Sequence, residues 1–249
     1  MKALARLLVL ALLAGLALQL YFVARIALMA VVNPESTAFQ RSEAWLAAKN
    51  TGTLKWRQQW VAYAQVSDHL KRAIIASEDA SFIMHDGVDM EALEKAWEKN
   101  TRAEERAAQS TSRLAEGKSK MAVIKAPKII GGSTITQQLA KNLFLSGERT
   151  LLRKGQELLL TLMLEALLNK QRILEIYLNS VEWGEGIFGA EAAAQHYYRK
   201  PASRLSAYEA ARLAVMLPRP RYFETHGNSG YLASRARTIT ARMSGVELP

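Results

Sequence analysis

Two acids stand side by side in SEDASFIMHDG, residues 77–87, where Glu78 and Asp79 precede a phenylalanine, a histidine, a third acid and a glycine. Those residue types suit three roles: a metal cage, a general acid/base centre, or a polar turn closing an apolar helix. A second set occupies residues 131–142, GGSTITQQLAKN, in which paired glycines lead into hydroxyls and then amides. Thr134 with Gln137 three residues on fits a capping box, so a helix is expected to start there, its first N–H groups forming an anion seat. On that helix Thr134, Gln137, Gln138, Lys141 and Asn142 share one face, which suits a polar, anionic ligand. A solvated face with a routine cap explains the same spacing equally well. A third set is Glu157 and Glu165, two helical turns apart among leucines, where a carboxylate needs a partner or a function. Ion pairs with Arg149, Arg153, Lys154 or Lys170 account for Glu165 and Glu175 at least as well as catalysis does, and leave Glu157 undecided. No glycine-rich motif of the Walker type is present, because Lys141 lies too far along its helix.

The elements that must position these groups read as helices. Apolar spacing from Val61 through Leu70, Ile74 and Ile75, with Trp60 ahead, predicts a helix up to Ser77, so the opening acids lie at a helix-to-loop exit with Gly87 free to turn. Residues 147–179 predict one long or two consecutive helices. Residues 98–128 are polar and almost without aromatics, the composition of a solvated helix or a mobile surface loop. Internal repeats and proline-rich linkers are absent, and 249 residues suffice for one full-sized core with a small appendage.

Residues 7–24, LLVLALLAGLALQLYFVA, carry no charge, and only Gln19 is strongly polar, so the run is about long enough to cross a bilayer as a helix. It resumes after Arg25 as IALMAVV without a clear small-residue cleavage site, which favours a retained anchor over 7–32 rather than a signal peptide. Lys2 and Arg6 place the leading tail, residues 1–6, on the cytoplasmic side and residues 33–249 outside. All 23 acids and 31 of the 33 Lys and Arg residues follow that run, a net charge of +8 on the outer part. An outward basic domain meets anionic headgroups and lipid-linked phosphates, and without a zinc-finger or aromatic RNA-binding signature nucleic acid is a remote partner. There is no cysteine, hence no disulfide framework and no thiolate metal site.

Five segments occur in order: EDASFIMHDG, GGSTITQQLAKNLF, RKGQELLLTLMLE, KQRILEIYLN and AAAQHYYRKPASRLSAYEAARLAVML. Together they resemble the motifs of the peptidoglycan glycosyltransferases, glycosyltransferase family 51, found in class A penicillin-binding proteins and their single-domain relatives, over roughly residues 55–225. The resemblance implies a mainly α, lysozyme-like glycosyltransferase domain behind one N-terminal transmembrane helix, with no transpeptidase domain after it. It implies that lipid II is polymerised on the outer face of the bacterial cytoplasmic membrane by inverting β-1,4 transfer, with a polyprenyl-diphosphate-linked glycan as donor and undecaprenyl diphosphate as leaving group. By that resemblance Glu78 is the general base toward the acceptor 4-hydroxyl, and Glu157 stands on the leaving-group side. Lys141, Arg149, Arg153 and Lys154 hold the diphosphate, while Ser133, Thr134, Gln137, Gln138 and Asn142 contact sugar and phosphate oxygens. A magnesium or manganese ion bridging diphosphate and carboxylate is compatible with this scheme, but no metal ligand is assigned because no dedicated cage is visible. His85 is expected to order its loop, with no second histidine at ligand spacing. Trp45, Trp56 and Trp60 fit either the membrane interface or the core. Two departures stand out: the excess length between Gly87 and Gly131, and Gln156 beside the second acid where some relatives carry lysine. A lytic muramidase on the same fold, a non-catalytic scaffold, and contacts with other cell-wall synthesis or division proteins remain the alternatives and accessory partners.

Overall fold

The computed structural model describes residues 2–115, 132–145 and 150–249. The chain opens with α1 (Lys2–Leu28), the helix of the apolar run, followed by α2 (Ala38–Thr51), which a Thr37–Gln40 capping box starts and Gly52 ends in the left-handed region. Strand β1 (Arg57–Gln58) leads to α3 (Asp68–Glu78), then α4 (Met90–Ala115) and α5 (Ile135–Phe144). Next come α6 (Leu151–Leu167), α7 (Lys170–Ser180), β2 (Glu182–Gly184) and β3 (Ile187–Phe188). The chain finishes with α8 (Ala190–Tyr198), α9 (Ala207–Met216), α10 (Pro220–Thr225) and α11 (Gly230–Arg242).

Side-chain caps fix most of the helix starts, since a hydroxyl or amide oxygen there takes a backbone N–H with no helical partner. Ser67 opens α3 by accepting from the His69 N–H, so the helix begins later than the expected Val61, and Tyr63–Gln65 form only a single tight turn. Thr134 and Gln137 form the expected capping box of α5. Thr150 caps α6 and Asn169 caps α7, so residues 147–179 contain two helices with a break at Leu168. Within the polar stretch 98–128 the chain is helical to Ala115, as the end of α4, and the remainder lies outside the described residues.

The core lies among α3, α5, α7, α9 and α11, where Leu70, Ile74, Leu139, Tyr177, Leu213 and Ile239 are fully buried. A three-stranded sheet closes one side in the order β1-β3-β2, parallel between β1 and β3 and antiparallel between β3 and β2. Trp183 on β2 is completely buried and donates from its indole to the Leu213 carbonyl, tying the sheet to α9. Trp56 packs on Phe188 at 5.2 Å, and Trp60 donates to Glu175 beneath the Arg172 guanidinium, whereas Trp45 is 70% exposed.

Candidate active site

Glu78 is the last residue of α3 and half-buried, with its carboxylate reaching Gln138 of α5. Gln138 donates to Oε2 at 3.1 Å, and Ser77 donates to Oε1 at 3.4 Å. Tyr177, fully buried on α7, donates its hydroxyl to Gln138 Oε1 at 2.9 Å and thereby fixes which end of the amide meets the acid. Desolvation raises the Glu78 pKa, and the neighbouring Asp79 charge adds to it; the Gln138 and Ser77 hydrogen bonds and the Arg235 charge oppose the shift. Burial and the same two acids push the Tyr177 hydroxyl well above its ordinary range, so it remains a donor at neutral pH. Tyr177 is not among the residues that the sequence points to; its place in KQRILEIYLN, about two turns beyond the capped start of α7, carries no chemical signal without the fold.

Asp79 is the frame of this corner. One oxygen accepts from the Ile135 N–H at the start of α5 at 3.0 Å, where the helix dipole favours a carboxylate, and the other meets His85 Nε2 at 2.8 Å. The Gly87 N–H donates to His85 Nδ1 at 3.2 Å, which assigns the ring proton to Nε2. Thr134 donates to the Gly87 carbonyl at 2.6 Å while its oxygen caps α5. Gly87 has φ +84°, and a Cβ there would lie 2.6 Å from Thr161 Cγ2, so only glycine lets the loop approach α6 this closely. Phe82 is buried beneath the loop with the Lys170 ammonium 4.7 Å above its ring, and Lys170 also pairs with Glu165 at 2.8 Å. Glu165 and Glu175, the latter paired with Arg172 at 3.0 Å, are therefore ion-pairing groups.

Glu157 is buried on α6, with one oxygen 2.8 Å from Arg153 and the other paired with Lys154. Arg153 Nε is itself buried without a hydrogen-bond partner. Lys141 lies close enough for its ammonium to feel all three: crowding by protein lowers its pKa, Glu157 opposes that, and Arg153 and Lys154 reinforce it. A groove of about 540 Å³ is lined by Gln138, Lys141, Asn142, Arg153, Tyr177 and Glu182, with Phe39, Glu43 and Leu46 of α2 across from them. A second groove, about 470 Å³, runs past Glu78, Ser133 and Thr134 to Lys95 and Lys99 of α4. Glu78 thus opens on one groove while its amide partner Gln138 lines the other. Among the residues expected to bind substrate, Gln138, Lys141, Asn142, Arg153, Ser133 and Thr134 border the grooves, whereas Lys154 lines neither and is paired with Glu157. The Thr134 and Gln137 side chains are committed to the cap, and Arg149 lies outside the described residues.

Asp79, His85 and Asp89 bring one ligand atom each within 4.8 Å of one another, Asp89 being the partner that sequence spacing did not supply. Their atoms already serve internal hydrogen bonds: Asp79 to Ile135 and His85, Asp89 to Ser81 and the Ala92 N–H. Both oxygens of Glu157 are held by cations. Among the described residues neither set has donors free to hold a divalent ion.

The family model described as Transglycosylase matches residues 47–244. The chain belongs to that family. Proteins named "Biosynthetic peptidoglycan transglycosylase" are similar to it across nearly its full length. The one from Burkholderia orbicola (strain MC0-3) is 52% identical over 236 residues, covering 95% of this chain and 87% of that protein. The Burkholderia thailandensis protein is 53% identical with 95% and 84% covered, and that of Burkholderia multivorans is 53% identical with 95% and 87% covered. The transglycosylase fold is lysozyme-like and mainly α, in keeping with the helices described above. Every group discussed from Glu78 to Glu182 lies inside the matched span, whereas α1 and the start of α2 precede it.

Proposed function

We propose that the chain polymerises lipid II, with Glu78 as general base and the groove lined by Lys141 and Arg153, with Lys154 close by, as the seat of the departing diphosphate. The chain is a peptidoglycan glycosyltransferase; the site assignments, the domain division at 7–32 and 33–249 and the outward orientation are our own. The observation that carries the assignment is a desolvated carboxylate held only by neutral donors, beside a groove whose wall carries Lys141 and Arg153, with Lys154 paired to Glu157 behind them.

The acceptor's 4-hydroxyl oxygen attacks the anomeric carbon of the lipid-linked donor while Glu78 takes its proton. The bond from that carbon to the diphosphate oxygen breaks on the opposite face. A single displacement with base and leaving group on opposite sides inverts the anomeric centre. Desolvation favours Glu78 as a proton acceptor, and a positioned base contributes roughly 10² to 10⁴ in rate. Negative charge grows on the leaving oxygen, where Lys141, Arg153 and Lys154 stabilise it; the Arg153 Nε without a partner is a donor not engaged by Glu157. Glu157 holds Arg153 and Lys154 in one array.

Attachment to a membrane suits a substrate that stays in the bilayer. The helix α1 is long and apolar enough to cross one, and Leu151 and Leu152 on α6, 92% and 86% exposed, extend that apolar surface onto the catalytic domain. Lipid II supplied in vesicles should give glycan strands and release polyprenyl diphosphate. Cleavage of finished peptidoglycan with no polymer from lipid II overturns the proposal in favour of a lytic muramidase.

A further inference from the structure

Helix α1 presents its domain-facing side as a single stripe. Phe22 and Ile26 are its buried residues, Gln19 is half-buried, and Met29 in the turn just past its end is buried in line with them, at intervals of three, four and three, while Leu12, Leu16 and Leu20 remain exposed. The stripe rests on the catalytic domain at three levels. Phe22 meets Phe144 of α5 edge-on at 5.3 Å. Arg172 of α7 closes the lower end by donating to the Met29 carbonyl at 2.7 Å, the Val32 carbonyl at 3.2 Å and Asn33 Oδ1 at 2.8 Å. At the upper level two amides exchange hydrogen bonds: Gln19 Nε2 donates to Gln156 Oε1 at 3.1 Å, and Gln156 Nε2 donates to Gln19 Oε1 at 3.2 Å.

Apolar contacts alone cannot hold such a helix in place within a bilayer, because acyl chains solvate leucine as well as leucine does. An amide in hydrocarbon without a partner is costly, whereas a reciprocal amide pair satisfies both groups at one rotation and one height of the helix. Gln19 is the strongly polar side chain of the uncharged run, and Gln156 adjoins Glu157, one turn from Arg153. We propose that the Gln19–Gln156 pair locks the N-terminal helix onto α6 in one register, and that this register positions the cationic groove relative to the membrane that carries the substrate. Gln19 and Gln156 are positioning residues. The claim about the groove rests on the proposed function; the docking itself does not.

Two measurements test it on the full chain in lipid vesicles. The sequence has no cysteine, so Gln19→Cys with Gln156→Cys gives a unique pair for a short bifunctional thiol reagent. That pair should cross-link, and Leu20→Cys with Gln156→Cys, from an exposed face of the helix, should not; equal cross-linking of both overturns docking in one register. For the positioning claim, Gln19→Leu and Gln156→Leu should each raise the KM for lipid II in vesicles about three- to tenfold, at unchanged melting temperature and with a detergent-phase kcat within about twofold. The double Leu variant, leaving neither amide unpaired, should fall well short of the product of the two single effects. Single effects that multiply, or that appear equally in detergent, overturn positioning. Wild-type protein that makes no glycan refutes the proposed function instead, and the cross-link still decides docking.

Discussion

Glu78→Gln replaces the proposed base with a group of the same shape, and the surroundings of Glu78 allow both of its effects to be worked out. A glutamine Oε1 can accept from Gln138 as Glu78 Oε2 does, and its amide can donate toward Ser77, so neither neighbour loses a partner. Activity should fall by about 10² to 10⁴, or roughly 3–5 kcal/mol of transition-state stabilisation. Stability should move the other way. The folded-state pKa of Glu78 lies above its unfolded value, chiefly through desolvation. Its contribution to stability is therefore fully present below the unfolded pKa and is lost as pH rises through the folded one. At neutral and alkaline pH the wild type carries a partly desolvated anion that the variant lacks, so Glu78→Gln should melt higher than wild type at pH 8, with the advantage shrinking toward pH 4. Initial rates of polymerisation from lipid II in vesicles, with melting curves at both pH values, read the two effects together. A folded Glu78→Gln protein that polymerises at the wild-type rate refutes the assignment of the base. A variant that melts lower at pH 8 than at pH 4 relative to wild type refutes the desolvation argument.

Tyr177→Phe removes the donor that orients Gln138, at a cost of about 1–2 kcal/mol, or five- to thirtyfold in kcat/KM; because the Gln138 hydrogen bond lowers the Glu78 pKa, the acid limb of the pH–rate profile should move upward. Glu157→Gln keeps all three cations but releases Arg153 and Lys154 from their common partner, so kcat should drop by a hundredfold or more while KM changes little; a variant that cannot fold marks the carboxylate as purely structural. Gly87→Ala forces a side chain into the left-handed region against Thr161 and Glu165, which should cost at least about 1–2 kcal/mol by thermal melting, with a parallel loss of activity as the His85 loop lifts from α6.

The sequence made the capped helices legible because their signals are local. Thr134 with Gln137, and the placement of Glu78 at a helix exit, follow from short-range rules, and α5 and α3 bear them out. Glu165 likewise finds Lys170, one of the expected cations, whereas Glu175 is ion-paired as expected but to Arg172, which lies outside the expected set. What stayed hidden depends on tertiary contact. Thr134 and Gln137 share a helical face with Lys141 by spacing, yet the cap and the Gly87 loop engage them, so the polar face that remains is narrower than the pattern suggests. Tyr177, though inside KQRILEIYLN, and Asp89 carry no chemical signal in their spacing and gain meaning only where α7 passes behind Gln138 and where α4 starts beside His85. Gln156 appeared as a departure in a phosphate-binding motif, but it turns away from the cations toward Gln19, 137 residues earlier in the chain.

A desolvated carboxylate with a raised pKa is as well suited to donate a proton as to accept one, so Glu78 alone does not separate glycosyl transfer from glycan cleavage. The cations separate them. Transfer from a diphosphate concentrates new negative charge on the leaving oxygen, whereas hydrolysis of a finished glycan releases a sugar hydroxyl and has no use for three cations beside the site. Lys141 is the sharpest probe, because it lines the groove from α5, whereas the oxygens of Glu157 are held by Arg153 and Lys154. Its ammonium is crowded by protein and by Arg153 and Lys154, an arrangement that a diphosphate would relieve. Lys141→Ala should therefore leave melting behaviour close to wild type and lower polymerisation by roughly tenfold to a hundredfold, the loss of one charge-assisted contact in the transition state. The loss should be greater in kcat than in KM, because leaving-group charge grows along the reaction coordinate. An unchanged kcat in Lys141→Ala, measured on lipid II, refutes the cationic groove as the leaving-group site.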